Sequence, residues 1–231
     1  MIDVYYWPTI NGRKITIALE EMELPYHIVP VNPKTGETSN PDFLLINPNG
    51  KIPAIIDRSV GKLAIFESAA ILQYLAEKSG KLMPRDAAGK YSVIQWLTFQ
   101  AANVGPMMGQ FAHFHDYARE RIQYALNRYG RETERLYGVI EKRLRESPYI
   151  AGDTFSVADV SLWPWIAPAR QEQRWEDWPN IKDWHDRIGA RPGVARGNAV
   201  RLDLQPIGVQ NLTDEQWNSL YGWQQNPRVP R

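Results

Sequence analysis

The chain has 231 residues, enough for one or two domains with a substantial buried core. Its 27 Lys and Arg against 26 Asp and Glu leave a net charge of +1, so we expect neither nucleic acid nor an anionic membrane as partner. Because the sequence contains no cysteine, disulfides, thiolate metal sites and a protein thiol nucleophile are excluded. No apolar run approaches the ~18 residues of a spanning helix, and no signal peptide is visible, so we expect a soluble, cytoplasmic protein.

Residues 1–80 have the pattern of an α/β unit. Short aromatic and β-branched runs predict strands at 2–7, 26–31, 52–56 and 62–66. Apolar residues recur at helical spacing over 13–24 and again over 68–80, so one helix follows the first strand and another follows the fourth. The stretch 32–41 has the Asn, Gly and Pro content of a loop. The predicted order is β-α-β, a loop, then β-β-α.

Beyond a polar linker at Pro84–Gly89 the pattern becomes helical throughout. Residues 90–104 predict a helix that is broken or kinked at Gly105-Pro106, because proline cannot donate the helical hydrogen bond. Residues 119–146 predict a long helix with one apolar face. A helical second unit therefore follows the α/β unit.

The domain prediction follows from this change of period. We predict an α/β domain over 1–80, an all-helical domain over 88–200 and an extended tail over 201–231. Within the helical part, FSVADV is typical of a capping box, with Ser156 at the N-cap and Asp159 as its partner.

One stretch with chemical potential is FESAAIL, residues 66–72. Glu67 and Ser68 stand where a strand gives way to a helix N-terminus, a place that favours a bound carboxylate. The Glu67 carboxylate would accept hydrogen bonds from an ammonium, so the pair is complementary to the charged end of an amino acid. The alternative is that Ser68 is an ordinary N-cap and Glu67 a solvated charge.

A second stretch is NGKIPAI, residues 49–55, where Pro53 opens a strand. A cis Ile52-Pro53 bond would turn the N–H and C=O of Ile52 outward, free to pair with an extended peptide ligand, and Lys51 would stand beside that ligand. The alternative is an edge strand that merely begins with proline.

The order of these stretches resembles a cytosolic glutathione transferase over residues 1 to about 200. The resemblance rests on KIPAI, FESAAILQYLAEK and FSVADVSLWPW. PTINGRKI, NPNGKIPAI, VGPMMGQ and NRYGRETERLY are similar to the bacterial nu class, whose members act as disulfide-bond reductases. The resemblance implies an N-terminal thioredoxin-like domain, a C-terminal helical bundle, glutathione as substrate, no metal, and a homodimer.

The resemblance also implies that Thr9 and Asn11 lie at the glutathione sulfur. A thiol with a pKa of ~8.5 is mostly protonated at neutral pH, and a hydroxyl and an amide donor aimed at the sulfur favour the reactive thiolate. Tyr5 and Tyr6 are competing candidates, but they lie inside the first strand, so we predict that they pack.

Further roles are implied for the rest of the glutathione site. Ile52 would pair with the cysteinyl backbone through its main chain, and Lys51 would face a carboxylate. Glu67 and Ser68 would hold the γ-glutamyl end. Arg128 would reach into the neighbouring subunit's site. One loop residue departs from the nu-class pattern, which tends to have a glutamine where this chain has Thr38.

The second substrate would lie against the helical domain. The predicted wall consists of Asn103, Met107, Gln110 and Phe111. For Met107 and Phe111 core packing is the alternative. His113 and His115 lie on different faces of a helical stretch, without a carboxylate pattern for a metal, so we interpret them as structural or surface residues.

The sequence therefore predicts a glutathione-dependent disulfide-bond reductase in which bound glutathione, rather than a protein cysteine, attacks a small disulfide. Two alternatives stay open. One is conjugation of glutathione to electrophiles. The other is a non-catalytic glutathione-binding or regulatory protein, since a fold does not fix a function.

Overall fold

The computed structural model describes residues 1–167, 172–204 and 212–222. The strands are β1 (Ile2–Tyr6), β2 (Tyr26–Pro30), β3 (Ala54–Asp57) and β4 (Leu63–Phe66). The helices are α1 (Ile10–Met22), α2 (Pro41–Leu44), α3 (Ser68–Ser79), α4 (Ala87–Phe99), α5 (Gly105–Ala112), α6 (Gln123–Glu146), α7 (Val157–Leu162), α8 (Pro179–Gly189), α9 (Pro192–Ala199) and α10 (Asp214–Tyr221). Short π-helical segments, Gln100–Val104 and His113–Tyr117, continue α4 and α5.

Within the described residues the strands form one four-stranded sheet in the order β2-β1-β3-β4. β1 runs parallel to β2, and β3 is antiparallel to both β1 and β4. A parallel pair needs a crossover, which α1 supplies. The central strand β1 is almost entirely buried, with Ile2, Val4 and Tyr6 in the core. This thioredoxin-like arrangement, followed by helices, confirms the predicted fold class.

Helix α1 joins the sheet to the helical part of the chain. It packs against α3 on one side and against α9 on the other. Gly197 of α9 permits the close approach, because a Cβ atom there would lie 2.4 Å from Cα of Ile17. The Thr16 hydroxyl donates a hydrogen bond of 2.7 Å to the carbonyl of Gly197. Contacts with α3 and α9 therefore fix the position of α1 and of the turn at its N-terminus.

The helical part departs from regular α-helix before the predicted break. The α-helix ends at Phe99 and resumes at Gly105, with a π-helical segment between them. Pro106 in the next turn has no N–H to donate, which favours such a shift of the hydrogen-bond pattern. One consequence is that Gln100, at the start of the segment, is buried beneath α1.

The predicted capping box is confirmed at the start of α7. Ser156 and Asp159 exchange the two hydrogen bonds of that motif. The buried Asp159 carboxylate also accepts from the Trp184 indole at 2.9 Å and from the backbone N–H of Ile150 at 2.9 Å. Burial raises the pKa of Asp159, against the hydrogen bonds that favour its charged form. This cluster fixes the segment that leads to Trp165.

The tail differs from its prediction as extended chain. Helix α10 lies within it, and its capping box is formed by Thr213 and Gln216. The Thr-x-x-Gln pattern that marks this helix is visible in the sequence. The parts at 205–211 and 223–231 lie outside the described residues. No helix in the part of the chain that the structure describes is long and apolar enough to cross a membrane.

Candidate functional site

The turn between β1 and α1 presents two hydrogen-bonding side chains. Thr9 is the N-cap of α1, and its hydroxyl oxygen accepts the backbone N–H of Gly12 at 3.1 Å. That bond occupies the oxygen and leaves the hydroxyl proton to donate elsewhere. Gly12 is required here, since a Cβ atom would lie 2.2 Å from the carbonyl oxygen of Trp7. The positive end of the α1 dipole lies at the same turn.

Asn11 is oriented by a residue far along the chain. The indole Nε1 of Trp165 donates to Oδ1 of Asn11 at 3.0 Å. Because the amide oxygen is engaged, the Nδ2 group is left as the donor of this side chain, and no described residue accepts a hydrogen bond from it. Thr9 and Asn11 thus each retain a proton donor at the start of α1.

The segment before β3 forms the second part of the site. The Ile52-Pro53 peptide bond is cis, one of the two alternatives that the sequence left open. The buried Asn47 holds the turn: its side chain donates to the carbonyl of Lys51 at 2.5 Å and accepts the N–H of Asn49 at 2.9 Å. The exposed Lys51 amine has no hydrogen-bond or ion-pair partner among the described residues, and partial desolvation lowers its pKa.

Glu67 and Ser68 lie at the junction of β4 and α3. Glu67 has φ of 66° and ψ of 115°, a conformation that costs free energy for a residue other than glycine. Its exposed carboxylate meets the Asn49 amide at 3.5 Å. Ser68 is the first residue of α3 rather than its N-cap, and its oxygen accepts from the buried Lys14 at 3.4 Å. The ordinary N-cap interpretation of Ser68 is therefore wrong.

Two adjoining cavities connect these parts. The larger, about 230 Å³, is lined by Thr9, Asn11, Pro33, Thr38, Gly50, Lys51, Ile52, Ser219, Leu220 and Tyr221. The smaller, about 160 Å³, is lined by Asn11, Asn47, Asn49, Lys51, Ile52, Pro53, Glu67 and Ser68. Asn11, Lys51 and Ile52 border both. The donors at α1 and the Glu67–Ser68 pair at α3 therefore border two adjoining cavities, which are together named below the α1–α3 groove.

Helix α10 closes one side of the α1–α3 groove. The Ser219 hydroxyl donates to the carbonyl of Pro33 at 2.9 Å, which ties α10 to the loop before β3. The Trp217 indole donates to the carbonyl of Tyr117 at 2.8 Å, and the Arg119 guanidinium lies 4.3 Å from the centre of its ring. A segment predicted to be an extended tail thus supplies a wall of the candidate site.

The structure brings eight predicted site residues to the α1–α3 groove: Thr9, Asn11, Thr38, Lys51, Ile52, Pro53, Glu67 and Ser68. It does not place the predicted second-substrate wall there. Neither cavity is lined by Asn103, Met107, Gln110 or Phe111. Phe111 is buried, stacks on the His115 ring, and borders a separate cavity of about 340 Å³ against α6. Phe111 therefore faces α6, which agrees with the core-packing alternative.

The remaining candidates lie apart from the groove. The hydroxyl of the buried Tyr6 donates to the carbonyl of Val200 at 3.2 Å, and the Tyr5 ring packs on Phe43, so both tyrosines pack as predicted. His115 pairs with Asp116 and Glu172, and these carboxylates raise its pKa.

Arg128 is exposed on α6, 3.9 Å from the Glu132 carboxylate. Over residues 1–167, 172–204 and 212–222, no cluster of three or more His, Asp or Glu is placed to hold a metal ion.

The four-stranded sheet and the appended helical domain have the architecture that the sequence resemblance implies. The family model described as "Glutathione S-transferase, N-terminal domain" matches residues 2–77, and that described as "Glutathione S-transferase, C-terminal domain" matches residues 123–187. The chain belongs to the glutathione S-transferase family.

Three relatives illustrate the members of the family that this chain is similar to. Disulfide-bond oxidoreductase YfcG of Escherichia coli (strain K12) is 45% identical over 201 residues, which is 85% of this chain and 94% of the relative. A solved glutathione transferase from Burkholderia graminis, with two glutathione molecules bound per subunit, is 42% identical with a TM-score of 0.82 and covers 87% of this chain and 88% of its own. One from Pseudomonas putida, with one glutathione disulfide bound per subunit, is 35% identical with a TM-score of 0.82, at 87% and 91% coverage.

Sequence reasoning missed three contributors to the site. Asn47 had a local signal, since an Asn-Pro-Asn-Gly run is typical of a side-chain-stabilised turn. The capping-box pattern at Thr213 marks α10 as a helix but does not indicate that it borders the site. Trp165 had no local signal, and the contacts of both with Asn11 and Pro33 join distant parts of the chain.

Proposed function

We propose that this protein is a glutathione-dependent disulfide-bond reductase whose α1–α3 groove binds glutathione. The observation that carries the proposal is the pair of uncommitted donors, on Thr9 and Asn11, at the N-terminus of α1 in a chain without cysteine. The relative YfcG is a disulfide-bond oxidoreductase by name, and the Pseudomonas putida relative holds glutathione disulfide. Both agree with thiol–disulfide chemistry carried by the ligand.

Binding would use the two ends of the groove differently. At the α3 end the Glu67 carboxylate would accept from the γ-glutamyl ammonium, and Ser68 with the helix N-terminus would hold the adjacent carboxylate. Between the ends, the Ile52 main chain would pair with the cysteinyl backbone, as an added strand does. The Lys51 amine, which has no partner in the described part of the chain, would meet a second carboxylate, and Thr38 would border the same region. These contacts would deliver the thiol to the α1 end.

Activation would occur at the α1 end. The Thr9 hydroxyl and the Asn11 amide would donate to the sulfur and favour thiolate over thiol, with help from the dipole of α1. Each unit by which the thiol pKa falls corresponds to about 1.4 kcal/mol of preferential stabilisation of the thiolate. The thiolate is the nucleophile, so the protein would supply charge stabilisation and the ligand the sulfur.

The reaction would consist of two exchange steps. The glutathione thiolate attacks one sulfur of the substrate disulfide, a mixed disulfide forms, and the other substrate sulfur leaves as a thiolate that takes up a proton. A second glutathione thiolate then attacks the glutathione sulfur of the mixed disulfide, which releases the second substrate thiol and yields glutathione disulfide. The two-glutathione complex of the Burkholderia graminis relative is compatible with this stoichiometry.

Steady-state turnover tests the proposal directly. We expect the protein to reduce hydroxyethyl disulfide with glutathione, and to do so far faster than it conjugates glutathione to a chloro-nitrobenzene. Conjugation without disulfide turnover would instead assign the protein to electrophile conjugation. Glutathione binding without either activity would assign it to the non-catalytic binding proteins.

The proposal includes a homodimer in which Arg128 lies near the partner's groove. The exposed Arg128 side chain on α6 does not border the groove of its own chain, which fits a role across an interface. Exposed Tyr91 and Tyr124, on α4 and α6, offer apolar surface for such contact. Sedimentation at micromolar concentration should give a dimer, and a monomer there would contradict this part of the proposal.

A further inference from the structure

Lys14 is a buried lysine that has no role in the mechanism proposed above. Its side chain on α1 is only 1% exposed. Its ammonium donates to Oε1 of Gln100 at 2.7 Å and to Oγ of Ser68 at 3.4 Å. Burying an ammonium is unfavourable even when it is hydrogen-bonded, and an apolar side chain of the same size often gives a more stable protein. Packing alone therefore does not account for a charge at this position.

The main hydrogen-bond acceptor of the Lys14 ammonium is itself held in place by a second contact. Oε1 of Gln100 also accepts from the Ser161 hydroxyl at 2.7 Å, so that oxygen is fixed by α7. The Trp165 ring, which holds Asn11, has its centre 5.9 Å from Nζ. Burial lowers the pKa of Lys14 to about 7, and the Glu67 carboxylate at the start of α3 opposes this shift. Both protonation states are therefore populated near neutral pH.

The contact with Ser68 gives the buried charge a route to a ligand. Because the Ser68 oxygen accepts from Lys14, the hydroxyl proton is the part of Ser68 left to interact with the cavity that it lines. A hydroxyl fixed in this way donates to anions, and the positive charge behind it adds attraction that the low-dielectric surroundings screen poorly. The carboxylate expected at this end of the groove is that of the γ-glutamyl unit.

We propose that Lys14 is a positioning residue for the γ-glutamyl carboxylate of glutathione: its buried ammonium fixes the Ser68 hydroxyl as a donor and supplies positive charge behind it. The inference rests on the proposed function, since it takes glutathione as the ligand of the α1–α3 groove. Lys14 does not itself touch the ligand and acts through Ser68.

The test measures binding of two thiol-blocked ligands by calorimetry. One is S-methylglutathione, in which the titration of the thiol is removed. The other is the S-methyl form of 4-aminobutyryl-cysteinyl-glycine, which keeps the ammonium but lacks the γ-glutamyl carboxylate. At pH 6.5, Lys14→Met should lower the affinity for S-methylglutathione by about tenfold, the scale of one hydrogen bond to a charged group. It should change the affinity for the analogue by less than about twofold.

Lys51→Met is the matched control, since it removes an exposed ammonium from the same groove. Lys51→Met should lower the affinity for both ligands by a similar factor, because both ligands keep the carboxylate that Lys51 would face. A Lys14→Met protein that still binds both ligands, with the preference of wild type for S-methylglutathione unchanged, would overturn the role of Lys14. A wild type that binds neither ligand would overturn the glutathione assignment, and the Lys14 proposal with it.

The pH dependence of wild type gives a readout that does not need the variant to fold. As pH rises through about 7 the free protein loses the Lys14 proton, so the affinity for S-methylglutathione should fall. The analogue should show no matching fall. Because Glu67 and the ligand ammonium act on both ligands alike, they cancel in the ratio of affinities. A ratio that is flat from pH 6 to about 8.5 would contradict the proposal.

Discussion

The indole of Trp165 and the amide of Asn11 are joined by a 3.0 Å hydrogen bond that spans 154 positions of the sequence. The bond runs from the helical domain to the first turn of α1, and it engages the one atom of the Asn11 amide that cannot donate. The orientation of the amide that would donate to the sulfur is therefore set by the other domain.

This bond predicts the behaviour of Trp165→Phe. The substitution keeps an aromatic ring but removes the donor, so Asn11 is free to rotate its oxygen toward the sulfur. Turnover with hydroxyethyl disulfide should fall by about tenfold, the scale of one hydrogen bond to a charged group, with less change in glutathione affinity. Trp163→Phe is the control: its indole donates to the backbone of His185, away from the groove, at 2.9 Å. Equal losses in both variants would show that Trp165 acts only through packing.

Binding and activation should separate along the groove. Asn11→Ala removes a donor to the thiolate and should lower turnover at saturating glutathione roughly ten- to hundredfold, with a smaller rise in Kd. Ser68→Ala should do the reverse, with weaker glutathione binding and little change in turnover once the site is full. Thr9→Ser keeps both the cap of α1 and the hydroxyl donor, so it should resemble wild type. If Ser68→Ala lowers saturated turnover as much as Asn11→Ala does, the two ends have no separate roles.

Helix α10 should control how fast ligand leaves. Trp217→Ala removes the hydrogen bond to Tyr117 and the cation–π contact with Arg119, two of the contacts that hold α10 in place. Glutathione dissociation, followed by stopped-flow quenching of tryptophan fluorescence, should accelerate by about three- to tenfold. Glu215→Ala alters an exposed side chain of the same helix and should leave the rate unchanged. An unaltered dissociation rate in Trp217→Ala would contradict the prediction that the attachment of α10 controls ligand release.

The sequence predicted those features that depend on interactions between residues close together in the chain. Strand alternation, the helical periods and the capping box at Ser156 and Asp159 all depend on neighbours within a few residues, and the structure has them. The position of the groove followed from a family resemblance that those local patterns support. The extended-tail prediction was wrong for α10, although a capping box at Thr213 marks that helix.

The contacts between distant segments were not predictable in this way. Nothing near Lys14 in the sequence indicates that its ammonium meets Gln100, 86 positions away, beneath Ser68. Periodicity marks the position of Lys14 only as part of a helix. Its burial depends on how Ser68, Gln100 and Trp165 come together against α1, which is a property of the assembled chain.

The most direct test of the account is the pKa of the glutathione thiol in the bound state. It is read from the ultraviolet absorbance of the thiolate during a pH titration of protein saturated with glutathione. In wild type the pKa should lie about one to two units below that of free glutathione, and it should return toward the free value in Thr9→Ala and in Asn11→Ala. A bound thiol that titrates as free glutathione does, or a lowered pKa unaffected by both substitutions, would contradict the claim that this turn activates the sulfur.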